Sequence, residues 1–501
     1  MKKLILSAWL ALPLVAQAQW EVTGTIYRDK NGNGVQDNGE RGLKNIPVSN
    51  GDTVVLTNRK GEYRLTVSPG ESVFPILPPD YTLVREGEPI ENAHYVYFPH
   101  ESAWDGKPVD FALYKTPAAD AFDVAAVGDV QVGKYAEENY AGATVLAELA
   151  ERRDIDFNIF LGDLTNHPTP YLQEMKGMLN GIPYPSWTVI GNHDRELTHE
   201  PEKQESVFNG CFGASTYAFN RGKVHFIVIN NVLPVDKRDY TGGYSDKQLR
   251  FLKNDLERVP RSCRIVICQH IPMVHTAQKA EILDLLKGRG EVMVLSGHTH
   301  RVRRHFIPGD GVLIHELGAG ASCGTWWTGE RDWQGIPAAI MPCGSPRGYF
   351  VVHFDKRGYD IRFKGVGLDK NRQMDIWVKG LDAVDNETPG LDAIAPHTIV
   401  ANVYGGSDST AVEVRIDGGA WRLMRHTAMP APNVSRMIHW NKTAGYPTQY
   451  SRRIPMRKEK SAHIWCIELP EGLAPGAHTA EFRASDRFGL NVTGSTAFVV
   501  R

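Results

Sequence analysis

The sequence predicts an α/β core carried between two small β-sandwich domains. Three observations lead there. Between about Ala121 and Asp369, short apolar strands alternate with segments of helical periodicity, the pattern of sheets covered by helices. On either side, residues 19–116 and 370–501 consist of short apolar-alternating runs separated by Gly, Asn and Pro, the pattern of sandwiches. Within the central stretch, 121–369, polar side chains able to bind metal sit just past the carboxyl ends of successive strands, where the loops of an α/β sheet converge.

Ahead of these domains, Met1-Lys2-Lys3 precedes an apolar run from Leu4 to Val15 and a small-x-small site, Ala16-Gln17-Ala18. This reads as a signal peptide over residues 1–18, with a mature start at Gln19. The run is too short to span a bilayer, and no cysteine follows it for lipid attachment. The expectation is a soluble, periplasmic or secreted protein with no transmembrane segment in the mature chain. At 501 residues there is room for about three domains, and a formal net charge of −2 gives no bulk attraction for nucleic acid or an anionic membrane. No nucleic-acid partner is expected. Six cysteines are too sparse for a disulfide scaffold. Cys323 and Cys343, flanking one Gly- and Trp-containing loop region, are the candidate pair.

In the N-terminal domain, strands are expected at Trp20–Arg28, Thr53–Thr57, Tyr63–Val67, Tyr95–Pro99 and Val109–Tyr114. The segment from Asp29 to Glu40 fits the calcium-loop pattern D-x-[DN]-x-[DN]-G-x5-E, with Asp29, Asn31, Asn33, Asp37 and Glu40 as oxygen donors. Its flanks look like strands rather than helices. The loop resembles those of B-type repeats in bacterial surface adhesins, which implies a structural calcium. An Asn/Gly-rich turn without metal is the alternative.

The central stretch begins with a strand, Phe122–Val127, entering Gly128-Asp129-Val130-Gln131. A helix is expected over Tyr140–Arg153. The strand Phe157–Leu161 ends at Gly162-Asp163, a helix is expected over Pro170–Leu179, and Trp187–Ile190 ends at Gly191-Asn192-His193-Asp194. After a strand at Val224–Asn230, Ser245 caps a helix through Glu257 with Leu249, Leu252 and Leu256 on one face. Arg264–Cys268 ends at Gln269-His270. A helix over Thr276–Leu286 leads to the strand Val292–Leu295 and to Gly297-His298-Thr299-His300. A single Asp or His at such a place is explained equally well as a cap or a core residue. Five strand-end clusters in one order are not.

This order resembles the calcineurin-like metallophosphoesterases, whose pattern is D-x-H, G-D, G-N-H-D/E, a later His, and G-H-x-H. The resemblance covers residues 121–369. It implies a four-layer αββα core, a pair of packed mixed sheets flanked by helices. It also implies two divalent metal ions: Asp129, Gln131 and His300 on the first, Asn192, His270 and His298 on the second, and Asp163 bridging. In such sites two ions roughly 3.5–4 Å apart share and deprotonate the attacking water. His193 would then stand near the leaving group as a proton donor, with Asp194 orienting it.

One ligand departs from the pattern, since Gln131 stands where His is usual. A neutral, hard oxygen donor shifts preference from zinc toward manganese, magnesium or iron. A similar Asp-x-Gln motif occurs in the manganese-dependent ADP-ribose and CDP-alcohol pyrophosphatases of the superfamily, so manganese is expected. Farther on, Trp326 and Trp327 cannot share one face of a strand. They read either as an aromatic wall beside the site or as a cap over the sheet edge. Arg195 and Arg347 are candidates for substrate phosphate, though each reads better as a solvated surface charge.

The C-terminal domain follows a polar connection, Asp385–Gly390. Strands are expected at Ile399–Tyr404, Ala411–Ile416, Trp421–Met424, His463–Leu469, His478–Ala484 and Ser495–Val500, with an irregular basic and aromatic excursion over Met429–Lys460. The domain order resembles an exported bacterial subfamily of metallophosphoesterases. The function expected is an exported phosphoesterase acting on phosphoric ester or anhydride bonds, tilted toward diesters or nucleotide pyrophosphates. Its partner would be a phosphorylated small molecule or a surface glycoconjugate. The alternatives are a phosphomonoesterase, or a surface glycan-binding protein with a weakly active core.

Overall fold

The computed structural model describes residues 19–83, 94–101, 103–117, 119–167, 169–381, 394–442 and 459–501. The expected signal peptide and the Asp385–Gly390 connection lie outside them. Among the described residues no helix is long and apolar enough to cross a membrane.

At the centre are two sheets. One runs in the order Ser186–Thr188, Phe157–Phe160, Phe122–Val127, Gly348–Phe354, Tyr359–Gly365. The other runs Tyr217–Arg221, Val224–Val228, Arg264–Cys268, Gly290–Ser296, Val312–Ala319, Val302–Gly309. The first three strands of the first sheet are parallel, as are Val224–Val228, Arg264–Cys268 and Gly290–Ser296 in the second. Period-two alternation sorts the first sheet's residues into two cores. Val124, Ala126, Phe157 and Ile159 join the second sheet's Phe226 and Val266, whereas Ala125, Val127 and Phe160 join Val145, Leu149, Leu172 and Met175 of the covering helices. Phe122, Phe157, Phe219, Phe226 and Phe354 stack between the sheets at centroid distances of 4.9 to 6.2 Å. On the far side, Phe251, Leu252 and Ile282 bring two more helices onto the second sheet. Four layers result: helices, sheet, sheet, helices.

Most expected helices form with shifted ends. Ser245 accepts a bond from the Gln248 amide and starts Asp246–Leu256. The helix expected over Tyr140–Arg153 begins earlier and is interrupted: Tyr135–Ala141 and Ala147–Glu151 are α-helical, and Gly142–Leu146 is a π-helical turn. Gly142 opens that turn, and the Thr144 hydroxyl bonds back to the Tyr140 carbonyl, a local competitor of regular pitch.

Among the described residues the flanking segments each form two four-stranded sheets. In the N-terminal segment Glu62–Val67, Trp20–Arg28, Phe111–Lys115 and Tyr81–Thr82 make one, and Val54–Leu56, Pro47–Ser49, Ser72–Pro75 and Val96–Tyr97 the other. It docks on the core through Phe74, whose ring lies 6.3 Å from Phe251 and 6.5 Å from Tyr217, and through the Arg250–Asp52 and Lys247–Glu71 pairs. In the C-terminal segment one sheet holds Met374–Val378, Thr398–Val403, Ile464–Glu468 and Arg425–His426; the other holds Arg422–Leu423, Ala411–Ile416, Gly476–Ser485 and Asn491–Val500. The excursion expected to be irregular contains a helix, Pro432–Asn441, with proline in its first turn. Asn433 donates to the Gly344 carbonyl at 2.8 Å and anchors that helix to the core.

Candidate metal centre

Each of five parallel strands delivers candidate ligand residues at its carboxyl end. Asp129 and Gln131 follow Phe122–Val127, Asp163 follows Phe157–Phe160, and Asn192 follows Ser186–Thr188. His270 follows Arg264–Cys268, and His298 and His300 follow Gly290–Ser296. All are buried except His298, which is half-buried. Four of the seven hold left-handed backbone: Gln131 (φ 50°), Asp163 (φ 50°), His298 (φ 69°) and His300 (φ 53°). Such conformations cost energy in non-glycine residues and cluster where function demands a fixed side-chain direction.

The glycines beside the ligands make room for them. A Cβ on Gly297 would lie 2.4 Å from Asp129 Oδ1, and one on Gly191 would lie 2.1 Å from the Asp163 amide nitrogen. Gly297 is therefore required by close approach.

The side chains converge with lone pairs facing one another. His270 Nδ1 donates to the Leu161 carbonyl at 2.8 Å, which leaves Nε2 as the lone-pair nitrogen of the neutral ring. That atom faces Asn192 Oδ1 at 3.0 Å, His298 Nδ1 at 3.2 Å and Asp163 Oδ2 at 3.3 Å. His300 repeats the arrangement. Its Nδ1 donates to Gly324 O at 2.6 Å, and its Nε2 lies 3.0 Å from Asp129 Oδ2, a buried oxygen with no hydrogen-bond partner. Acceptors aimed at a common point in a buried pocket favour positive charge there, supplied by a bound cation or by a proton. Asp163, His270 and His298 present ligand atoms within 4.8 Å of one another. Nitrogen, carboxylate and amide oxygens together fit a divalent first-row ion.

Electrostatics agree. Burial alone would lower His270, but with no cation in the place of its Nε2 proton Asp163 and Asp129 overcome it and lift the imidazole to about 9. Burial likewise opposes charge on Asp163, yet His270 and His193 hold it well below the usual carboxylate range. Burial and His270 push His298 down to about 4. The pocket favours positive charge at one point and a neutral imidazole beside it.

His193 sits half-buried at the rim with its amide donating to Asp163 Oδ1 at 2.8 Å. The expected orienting bond from Asp194 to its ring is replaced by another arrangement. Asp194 Oδ1 accepts from the Thr165 amide and Oδ2 from the Gly191 amide, each at 2.9 Å, while His193 Nδ1 is buried with no hydrogen-bond partner. Asp194 thus fixes the turn that carries His193. The nearest ring partner of His193 is His167, at 4.9 Å between centroids, a residue that sequence reasoning did not single out. Its signal was present in retrospect: it lies four residues past Asp163 with left-handed backbone (φ 43°).

Arg195 and Arg347 are not solvated charges. Arg195 is buried and bonded to Asn192 O, Gln204 Oε1 and Arg238 O, so its donors serve the loop rather than a substrate. Arg347 lies over the Trp327 ring at 5.4 Å, with Nη1 buried and without a hydrogen-bond partner. The expected Cys323–Cys343 bond is absent, and all six cysteines are free thiols. Cys323 Sγ instead contacts His300 Nδ1 at 3.7 Å and Gln131 Oε1 at 3.8 Å, while Cys343 turns to Ser345.

The Asp29–Glu40 loop is far simpler. Asp29 accepts from the Gly32 and Gly34 amides, Asp37 Oδ2 accepts from the Asn31 and Asn33 side chains, and Glu40 accepts from the Lys30 and Asp37 amides. These carboxylates order the loop through its own amides and Asn side chains.

Comparison with known proteins gives three matches to models of the calcineurin-like phosphoesterases: the N-terminal model over residues 30–116, the phosphoesterase model over 122–302, and the C-terminal model over 316–491. Purple acid phosphatase 15 of Arabidopsis thaliana is 31% identical over 140 residues, covering 24% of this chain. The chain spans about a quarter (25%) of that relative's length. A purple acid phosphatase from yellow lupin (Lupinus luteus) seeds aligns with TM-score 0.36 and 13% identity, over 70% of this chain and 67% of its own. An archaeal phosphodiesterase aligns with TM-score 0.23 and 13% identity, over 48% of this chain and 99% of its own.

Proposed function

This chain belongs to the calcineurin-like phosphoesterase family, and on that premise we propose that it is an exported, two-metal hydrolase of phosphoric ester or anhydride bonds, tilted toward diesters and nucleotide pyrophosphates. The observation that carries the reading is the set of lone pairs facing one another around His270 Nε2 and His300 Nε2. Asp129, Gln131 and His300 would hold one ion, Asn192, His270 and His298 the other, and Asp163 both. Divalent ions there supply Lewis acidity at the phosphoryl oxygens. Gln131, a neutral oxygen donor, supports manganese ahead of zinc.

The chain's own groups do the rest. His193, at the rim, gives a proton to the departing ester oxygen. The Asp194 carboxylate, burial and Asp163 having raised it to about 6, keeps the turn beneath His193 closed through the Thr165 and Gly191 amides. The short apolar leader and its small-x-small site support export to the periplasm or beyond. The alternating oxygens of Asp29, Asn31, Asn33, Asp37 and Glu40 support a structural calcium, checked by the melting temperature with and without added calcium.

The test is turnover by the full-length protein of a panel of phosphomonoesters, diesters, nucleotide diphosphate conjugates and phospholipid headgroups with manganese present. Diesters or pyrophosphates should be hydrolysed fastest, and Asn192→Ala and His193→Ala should each slow the reaction at least a hundredfold. Unchanged turnover in both variants would remove the mechanism.

A second reading attaches to the C-terminal domain. A groove of about 1020 Å³ there is lined by Trp377, Trp421, Arg372, Arg436 and Arg483. Its aromatic and guanidinium surfaces support a glycoconjugate partner, held there while the core acts on its phosphate.

A further inference from the structure

The turn bearing His298 and His300 has an aromatic ring against each imidazole. Trp326 lies 4.7 Å from His300 between centroids, tilted by 32°, and is half-buried. Tyr240 belongs to the hairpin formed by Val232–Pro234 and Tyr240–Gly242, and its ring stands edge-on to His298 at 6.2 Å. The Arg195 guanidinium, itself fixed by three hydrogen bonds, covers the Tyr240 ring at 4.9 Å. Both aromatics are thus set by their surroundings, and both border the metal centre.

Trp326 is held there against its backbone preference. Trp326 and Trp327 have φ of 52° and 51°, left-handed values that are strained for bulky residues. The surrounding loop fixes them. The Trp327 amide donates to Cys323 O at 3.1 Å, its indole Nε1 donates to Val130 O at 2.9 Å, and its ring is buried beneath Arg347. Gly324, whose Cβ would lie 1.4 Å from Ala339 O, lets the two arms of the loop meet. Trp327 therefore does the work of capping the sheet. A cap alone does not need a second tryptophan turned the other way, over a metal ligand and partly open to solvent.

We propose that Trp326, packed on His300 as Tyr240 is on His298, gives the metal centre an aromatic platform that selects phosphoric esters whose organic group is an aryl ring bonded through the ester oxygen. A phosphoryl group bound at the metal centre would sit beside His300, and the indole lies 4.7 Å from that ring, so an aryl group one atom beyond phosphorus would come within reach of Trp326. An alkyl group of the same length buries less surface and stacks on nothing. This inference rests on the phosphoesterase reading and adds its substrate class.

The test uses the manganese-loaded full-length chain and two phosphonates in which a methylene replaces the ester oxygen, so that neither is hydrolysed. Benzylphosphonate should bind about tenfold more tightly than ethylphosphonate by calorimetry. In Trp326→Gly, where glycine adopts φ 52° without strain, that ratio should fall to about two. In Trp326→Phe it should be largely retained. Metal content, measured on each variant, separates loss of the platform from loss of the centre. Equal affinities in the wild type, or an unchanged ratio in Trp326→Gly, would overturn the aryl platform while leaving the hydrolase intact. Failure of both phosphonates to bind protein of full metal content would count against the hydrolase reading as well.

Discussion

Gly297 runs so close to Asp129 that a Cβ at residue 297 would lie 2.4 Å from Asp129 Oδ1, and the next amide, that of His298, donates to the same oxygen at 2.9 Å. The glycine and the carboxylate thus fix the distance between the first strand's ligand and the two-histidine turn. In Gly297→Ala one of them must move. Metal affinity should fall roughly 10–100-fold, the scale seen when ligand positioning is disturbed. Elemental analysis after dialysis against limiting manganese checks this, and full occupancy in the variant would mean that the turn absorbs the methyl group.

Gln131 is expected to set metal choice. Its amide nitrogen on the backbone is tied to Asp163 O at 2.8 Å and its side-chain oxygen approaches Cys323 Sγ at 3.8 Å, so the residue is placed from both ends. Replacing the neutral oxygen by imidazole in Gln131→His should move preference from manganese toward zinc. The readout is metal bound from an equimolar mixture, alongside turnover with each ion. A variant that keeps the wild-type metal ratio would show that the other ligands set the choice.

Arg304 and Asp486 hold the C-terminal domain to the core. Both side chains are inaccessible, and every donor of the guanidinium is used: Asp486 twice, at 2.7 and 3.2 Å, His315 Nε2 at 2.9 Å, and the Gly405 and Phe488 carbonyls at 3.1 Å each. Since His315 Nε2 accepts, its Nδ1 carries the proton and donates to the Tyr359 hydroxyl at 2.6 Å. Removing one partner strands a buried charge, so Arg304→Met and Asp486→Leu should each cost about 3–5 kcal/mol. The double variant should cost clearly less than the sum in denaturant unfolding, and strict additivity would refute the coupling.

The residues that converge on the candidate centre were legible because their signal is local. A strand followed by Gly-Asp, Gly-Asn-His-Asp or Gly-His-x-His brings the polar residue and the glycine that makes room for it within a few positions. What escaped depends on contacts between distant segments. Arg195 reads as surface charge until Gln204 and the Arg238 carbonyl close around it. The roles of Trp326 and Trp327 follow from their backbone angles, which a loop closed at Ala339 imposes. Cys323 faces Gln131 and His300 rather than Cys343 because its strand-end loop returns to the metal centre. The helix Pro432–Asn441 shows only Val434 and Ser435 buried beyond its proline, too little apolar periodicity to read before its docking on Gly344 is seen.

Glu316 should give folding a pH dependence of its own. It lies in the strand Val312–Ala319, where burial raises its carboxyl from the ordinary 4.5 to about 7 against the opposing pull of the Met273 amide at 2.6 Å and the Ser296 hydroxyl at 3.0 Å. Lys279 lowers it further but does not offset burial, and burial keeps the neighbouring Tyr244 hydroxyl protonated well above this range. The folded chain therefore holds a proton between about pH 4.5 and 7 that the unfolded chain has released. Stability conferred by that proton is fully present below about 4.5, falls as pH rises through the window, and levels off above about 7. The shift corresponds to on the order of 3 kcal/mol. Glu316→Gln keeps an oxygen for Met273 and Ser296 but cannot ionise, so its stability should change less between pH 5 and pH 7.5 than that of the wild type. Denaturant midpoints at the two pH values measure the difference, and parallel losses in both proteins would assign the pH dependence to other groups.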